Sequence, residues 1–128
     1  MFIKSVTSYF LASSVIFILT LMASNSWANS VQVVDVIVTA QGNKNYRFDV
    51  SLLHQDAGWD HYANRWEILD EKGTILATRI LYHPHVNEQP FTRSLTVSLP
   101  DNLKTVIIRG HDNVHQYSGN EKKITLSK

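Results

Sequence analysis

Cysteine is absent from the 128-residue sequence, and methionine occurs only as Met1 and Met22. Beyond residue 28 the chain therefore carries no sulfur. That excludes disulfide staples, lipid attachment through a cysteine of that stretch, and thiolate or thioether ligands for a soft metal. An excess of one charge is lacking too. Of 12 basic residues only Lys4 lies in the first 28, so 11 remain to face 11 acidic ones. A neutral domain without a basic stripe lacks the electrostatic footprint of a nucleic-acid binder, so no nucleic acid is expected as a partner. A hydrophobic run of membrane length is missing as well. The apolar stretch 10–23 has 14 residues and is broken by Ser13, Ser14 and Thr20, whereas a spanning helix needs about 20. With Lys4 before it and small residues in Ser26-Trp27-Ala28 after it, the stretch reads as a secretory signal peptide over 1–28, cleaved after Ala28. The expectation is one domain over 29–128, periplasmic or secreted, with no membrane span in the mature protein.

What is present past residue 28 is a succession of short strand patterns. Residues 31–40 are rich in valine and isoleucine, and the adjacent Val33 and Val34 break their alternation, which predicts a bulge or a sheet switch. After a turn over 41–45, Tyr46, Phe48, Val50 and Leu52 alternate with Arg47, Asp49 and Ser51. A loop over 55–60 contains Gly58, and a third strand over 62–69 sets Trp66 and Ile68 against Arg65 and Glu67. A hairpin turn at 70–73 leads to a return strand over 74–82. Strands over 91–99, 105–110 and 121–127 complete the set, with Leu95, Val97 and Leu99 on one row of the fifth. Seven short strands without a helical period predict an all-β, immunoglobulin-like antiparallel β-sandwich. Trp66 is the expected central core side chain.

The chemistry-bearing residues gather in the connections. Antiparallel strands reverse direction at each loop, so connections alternate between the two ends of a sandwich. The loops over 54–61, 83–90 and 111–119 then share one end. They carry all six histidines: His54 and His61, His83 and His85, His111 and His115. Asp56, Asp60, Glu88 and Asp112 go with them. In the stretch from Tyr82 to Phe91, Pro84 and Pro90 stiffen a polar connection that presents two imidazoles. Imidazoles and carboxylates from three loops suit iron, copper or zinc, so a transition-metal ion is the expected cofactor. Capping or solvated histidines are the alternative, and His54, which continues the inward row of Leu52, also suits a buried structural histidine.

Two resemblances bear on this. The runs Gly58-Trp59-Asp60-His61-Tyr62-Ala63-Asn64-Arg65-Trp66-Glu67, His83-Pro84-His85-Val86-Asn87-Glu88-Gln89-Pro90-Phe91-Thr92-Arg93-Ser94-Leu95 and Asp112-Asn113-Val114-His115 resemble an uncharacterised family of small secreted bacterial proteins. That likeness implies secretion and a shared fold, and no activity. Separately, His54, six residues, then His61-Tyr62 with Trp66 nearby is similar to the histidine pattern of superoxide reductases (desulfoferrodoxins), and Asp112-Asn113-Val114-His115 is similar to their Cys-Asn-x-His ending. This second resemblance implies a mononuclear metal on an immunoglobulin-like barrel. His54, His61 and His115 match histidine ligands, and Asp112 stands where the cysteine would be. His83 or His85 supplies a further nitrogen in that scheme, with no motif match. The thiolate that tunes the iron is missing, so a metal site is retained as the expectation and superoxide reduction is not.

The leading expectation is thus a periplasmic metal-binding protein whose site draws on His54, His61, His115, His83, His85, Asp112 and His111. Its competitor is a module in which Trp59, Tyr62 and Tyr117 recognise an envelope protein or a glycan. Catalysis finds no independent route in the sequence: no serine–histidine–aspartate spacing, phosphate loop or paired glutamates is present. An enzyme built here would be a mononuclear metal oxidoreductase. Arg93 is expected to pair with Glu88 or Asp112.

Overall fold

The computed structural model describes residues 29–127; the leader predicted over 1–28 lies outside them. Seven strands follow in order: β1 (Gln32–Gly42), β2 (Asn45–Leu53), β3 (Ala63–Leu69), β4 (Ile75–Ile80), β5 (Phe91–Ser98), β6 (Thr105–Asp112) and β7 (Glu121–Thr125). They form two antiparallel sheets, β1-β2-β5 and β4-β3-β6-β7. This is the expected immunoglobulin-like sandwich. Among the described residues no helix is long and apolar enough to cross a membrane.

The alternation that marks the strands also fills the space between the sheets. Phe48, Val50 and Leu52 of β2 meet Trp66 and Ile68 of β3 and Val106 and Ile108 of β6, all fully buried. Phe91, Leu81 and Leu99 close the core at the strand ends, with Leu95 and Val97 packed against it. The outer face of the four-stranded sheet carries a buried carboxylate, Glu67. Burial opposes its charge, but hydrogen bonds from the Tyr117 hydroxyl, Arg65 and Arg109 outweigh that and hold the carboxyl below its usual range. Arg109 also lies over the Tyr117 ring at 3.8 Å. Tyr117 is therefore part of a packed polar network rather than a free loop aromatic.

The broken alternation in β1 becomes a register shift between Val33 and Asp35. Val33 turns inward and Val34 outward. The expected sheet switch is half made: the Asn120 side chain accepts from Val33 N at 2.8 Å and donates to its carbonyl at 3.1 Å, tying the start of β1 to the approach to β7. Gly119 lets this happen. A Cβ on it would stand 1.7 Å from the Val31 carbonyl oxygen, a backbone atom that cannot rotate away. Gly119→Ala is accordingly expected to destabilise the fold by about 1–3 kcal/mol, measured as a lower urea midpoint; an unchanged midpoint would show that this contact does not hold the N-terminal segment.

Two strand limits differ from the sequence expectation in a way that matters. The third strand begins at Ala63, and the sixth runs on through His111 to Asp112, where Ala63 pairs with Asp112 and Arg65 with His111. His111 is thus a strand residue and not part of a loop. The connections 54–62, 81–90 and 113–120 lie at one end, joined there by the start of β1, because Gln32 pairs with Leu53.

Candidate metal centre

The inward row of β2 leads past Leu52 to His54, whose side chain is fully buried. Its backbone N–H donates to Gln89 Oε1 at 3.0 Å, and Gln89 Nε2 donates to the His85 carbonyl at 3.0 Å. That amide fastens the 81–90 connection to the end of β2. The His54 ring is fixed by Asp56, whose Oδ1 lies 2.5 Å from Nδ1. Asp56 also accepts Ala63 N at 2.9 Å and His85 N at 2.7 Å. Burial works against its charge, yet the His54 ring and these two amides prevail and hold its carboxyl below the usual value. A carboxylate only accepts, so Nδ1 carries the proton. Nε2 on the other side of the ring lies 3.0 Å from Asn29 O, which can only accept, and 3.6 Å from Asp112 Oδ2.

Asp112 reaches that point because β6 continues to its last residue. Neighbouring strand residues face opposite sides, so Asp112 turns inward and His111 outward. Asp112 Oδ1 accepts the amides of Val114 at 2.8 Å and His115 at 2.5 Å, which shapes the start of the 113–120 loop. Its other oxygen, Oδ2, is buried and has no hydrogen-bond partner.

His61 comes from the loop between β2 and β3. Gly58, at φ +101°, makes the tight turn in which His61 N donates to Gly58 O at 3.2 Å and Ala57 N to His61 O at 2.8 Å. The turn lays the His61 ring edge-on to His54, with centroids 4.8 Å apart. Nε2 of His61 stands 3.3 Å from Asp112 Oδ1, close enough for attraction but not aligned as a hydrogen bond, and it too is buried without a partner. One ligand atom each from His54, His61 and Asp112 all fall within 4.8 Å of one another. The three groups thus converge with no hydrogen bond between them. A proton on a ring nitrogen or a bound cation satisfies such a set, and two imidazoles with a carboxylate match the donors of zinc, copper and non-haem iron sites.

The other histidines divide. His115 is exposed, and its ring lies 5.0 Å from that of His61 at the mouth of the group. His85 is buried, stacked on Phe91 at 4.0 Å, and its Nε2 accepts from Arg93 at 2.9 Å. Burial, with Arg93 and His83 nearby, depresses its pKa. His83 is exposed, with Nδ1 donating to Pro84 O at 3.1 Å and its ring 4.6 Å from His85. His111 sits on the outer face against Asn64 Oδ1 at 2.6 Å and edge-on to Tyr117, its pKa lowered by burial and by Arg65. The structure does not bring His83, His85 or His111 into the His54–His61–Asp112 group. Arg93 pairs with Glu88 at 3.3 Å, one of its two expected partners. Sequence reasoning placed Asp56 at this end without a role; the His54-x-Asp56 spacing, which lets a carboxylate fold back on the ring beside it, was the available signal. Nothing in the sequence pointed to the Asn29 carbonyl.

No family model matches the chain. Over 87 residues it is 41% identical to a protein of Halomicrobium mukohataei named "Putative lipoprotein"; the match covers 68% of this chain and 43% of that protein, so the chain spans less than half the length of this relative. Among solved structures, hypothetical protein PH1083 from Pyrococcus horikoshii OT3 aligns with a TM-score of 0.55 at 14% identity, over 81% of this chain and 94% of that one. The superoxide reductase (1Fe-SOR) from Giardia intestinalis aligns with a TM-score of 0.46 at 14% identity, over 77% and 99%. The first of these two structures shares the sandwich fold.

Proposed function

We propose that this is a metal-binding protein of the cell envelope, holding one iron, copper or zinc ion between His54 Nε2, His61 Nε2 and Asp112 Oδ2, with His115 as an outer donor. The observation that carries the reading is the buried Asp112 carboxylate, whose Oδ2 has no hydrogen bond and lies 3.6 Å from His54 Nε2 while Oδ1 lies 3.3 Å from His61 Nε2. Leaving such a group bare costs more than a neutral one, and a cation removes that cost. Asp56 fits as the outer-shell carboxylate that sets the tautomer of a ligating histidine. When bound, the ion supplies a Lewis-acidic or redox centre; the chain's own groups position it and exclude water from its inner side. The envelope location is supported by the signal-peptide pattern over 1–28 and by the name of the Halomicrobium relative.

Calorimetric titration of the metal-free protein with Zn(II), Cu(II) and Fe(II) tests this. One ion per chain is expected, and at a hundredfold excess over Kd the fold gains about 2.7 kcal/mol, seen as a higher melting temperature. An absence of heat and of any melting shift with all three ions would dismiss the metal centre. In that event the protein- or glycan-binding reading moves ahead. It is favoured by Trp59 and Tyr82, 65% and 75% exposed in the connections at this same end. Unchanged Trp59 fluorescence across a panel of envelope proteins and glycans would count against it.

A further inference from the structure

One contact of the group reaches beyond the trio: His54 Nε2 and the Asn29 carbonyl oxygen are hydrogen-bonded, 3.0 Å apart. Asn29 is the first residue after the expected cleavage site. The chain is anchored from the next residue onward. Ser30 is buried and its hydroxyl meets that of Ser118 at 2.8 Å, while Val31 is fully buried under Gly110 and Gly119. β1 starts at the end of the sandwich that carries His54, since Gln32 pairs with Leu53. The fold therefore brings the predicted mature terminus to the metal group itself.

Cleavage changes what Asn29 can offer. While Ala28 is attached, the Asn29 nitrogen is an amide whose lone pair is delocalised into the carbonyl. An exported-protein peptidase adds water across that bond: Ala28 leaves with a new carboxylate, and Asn29 keeps a primary amine. Three covalent bonds separate this amine from the Asn29 carbonyl oxygen, so the two atoms lie within about 3.7 Å of each other. An amine nitrogen and the carbonyl oxygen of the same residue close a five-membered ring on a metal ion. Like imidazole, the amine suits a divalent transition metal of intermediate softness.

Resting on the metal-centre reading above, we propose that the free α-amino group and carbonyl oxygen of Asn29 are ligands to the same ion, so that removal of the leader completes the site. The precursor is then a weak binder, and the ion is taken up tightly only after export and processing.

The test compares residues 29–128 carrying a free amine with the same protein extended by an N-acetylated Ala28, after melting curves show that both fold. Each is titrated with Cu(II) and Zn(II). The free-amine form should bind at least about tenfold more tightly, the low end of what even an outer-shell partner contributes. A bound ion should also slow acylation of the Asn29 amine by a small activated ester. Equal affinities, or acylation at the same rate with and without metal, would overturn the proposal while leaving the histidine–aspartate site standing. Failure of both forms to bind any metal would remove the metal-centre reading and this inference with it.

Discussion

Trp66→Ala is expected to lower the stability of the fold by about 3–5 kcal/mol, the largest loss from any single truncation in the core. Trp66 is fully buried in β3, the inner strand that pairs with both β4 and β6. It faces Phe48, Val50 and Leu52 across the sandwich, so no neighbour can move into the gap without leaving its own strand. For a domain of about 100 residues each kcal/mol shifts the melting point by about 4–8 °C, so the drop should exceed 12 °C. The indole Nε1 has no hydrogen-bond partner. Trp66→Phe removes that unpaired donor and leaves a smaller void, so it should cost clearly less than the alanine change. Equilibrium urea unfolding of both variants measures this. Equal losses for alanine and phenylalanine would mean that the phenyl ring fills no more of the gap than a methyl group, and that the volume argument fails.

The fold was legible where alternation was strong. Phe48, Val50 and Leu52 on one side, with Arg47, Asp49 and Ser51 on the other, fix both the strand and the face it buries. The end of β6 was not legible, and Gly110 is the reason. Its position before His111-Asp112-Asn113 reads as a strand terminator. In the structure it is a strand residue whose missing side chain makes room for Val31: a Cβ there would lie 2.3 Å from Val31 Cγ1. A glycine can stop a strand or admit a neighbour, and only the tertiary contact distinguishes the two.

That ambiguity carried through to the site. Reversal of direction at each turn places three loops at one end, and the sequence is sufficient for that. It does not say which way each side chain turns. Extending β6 by two residues sends His111 to the outer face and Asp112 to the inner one, which separates two residues that had looked like neighbours in one loop. His85 had the right loop but the wrong orientation, because its ring found Phe91 to stack on and Arg93 to accept from. Asp56, only two residues from His54, proved to be the residue on which the group is built, receiving a ring nitrogen and two amides from three separate stretches of chain.

Asp112→Asn should abolish metal binding and yet stabilise the metal-free protein. An asparagine keeps one oxygen, which can go on accepting the amides of Val114 and His115 and so preserve the turn that Asp112 Oδ1 now shapes. Its amide nitrogen then occupies the place of Oδ2. There it can donate to the Asn29 carbonyl, an acceptor, but it cannot ligate a metal. Exchanging a buried bare carboxylate oxygen for a satisfied donor should add on the order of 1 kcal/mol to the metal-free fold. Affinity for the ion should fall well beyond about 100-fold, the upper end of what an outer-shell loss costs. His61→Ala should lose affinity comparably, and His115→Ala less, because its ring lies outside the buried trio. His83→Ala and His111→Ala should leave binding unchanged, since the first side chain is exposed beside Pro84 and the second lies on the opposite face of the sheet. Titration calorimetry and thermal melting on the five variants read both signs at once. An aspartate kept only to shape the loop predicts the reverse for Asp112→Asn, a less stable fold with metal affinity intact, and that outcome would remove Asp112 from the site.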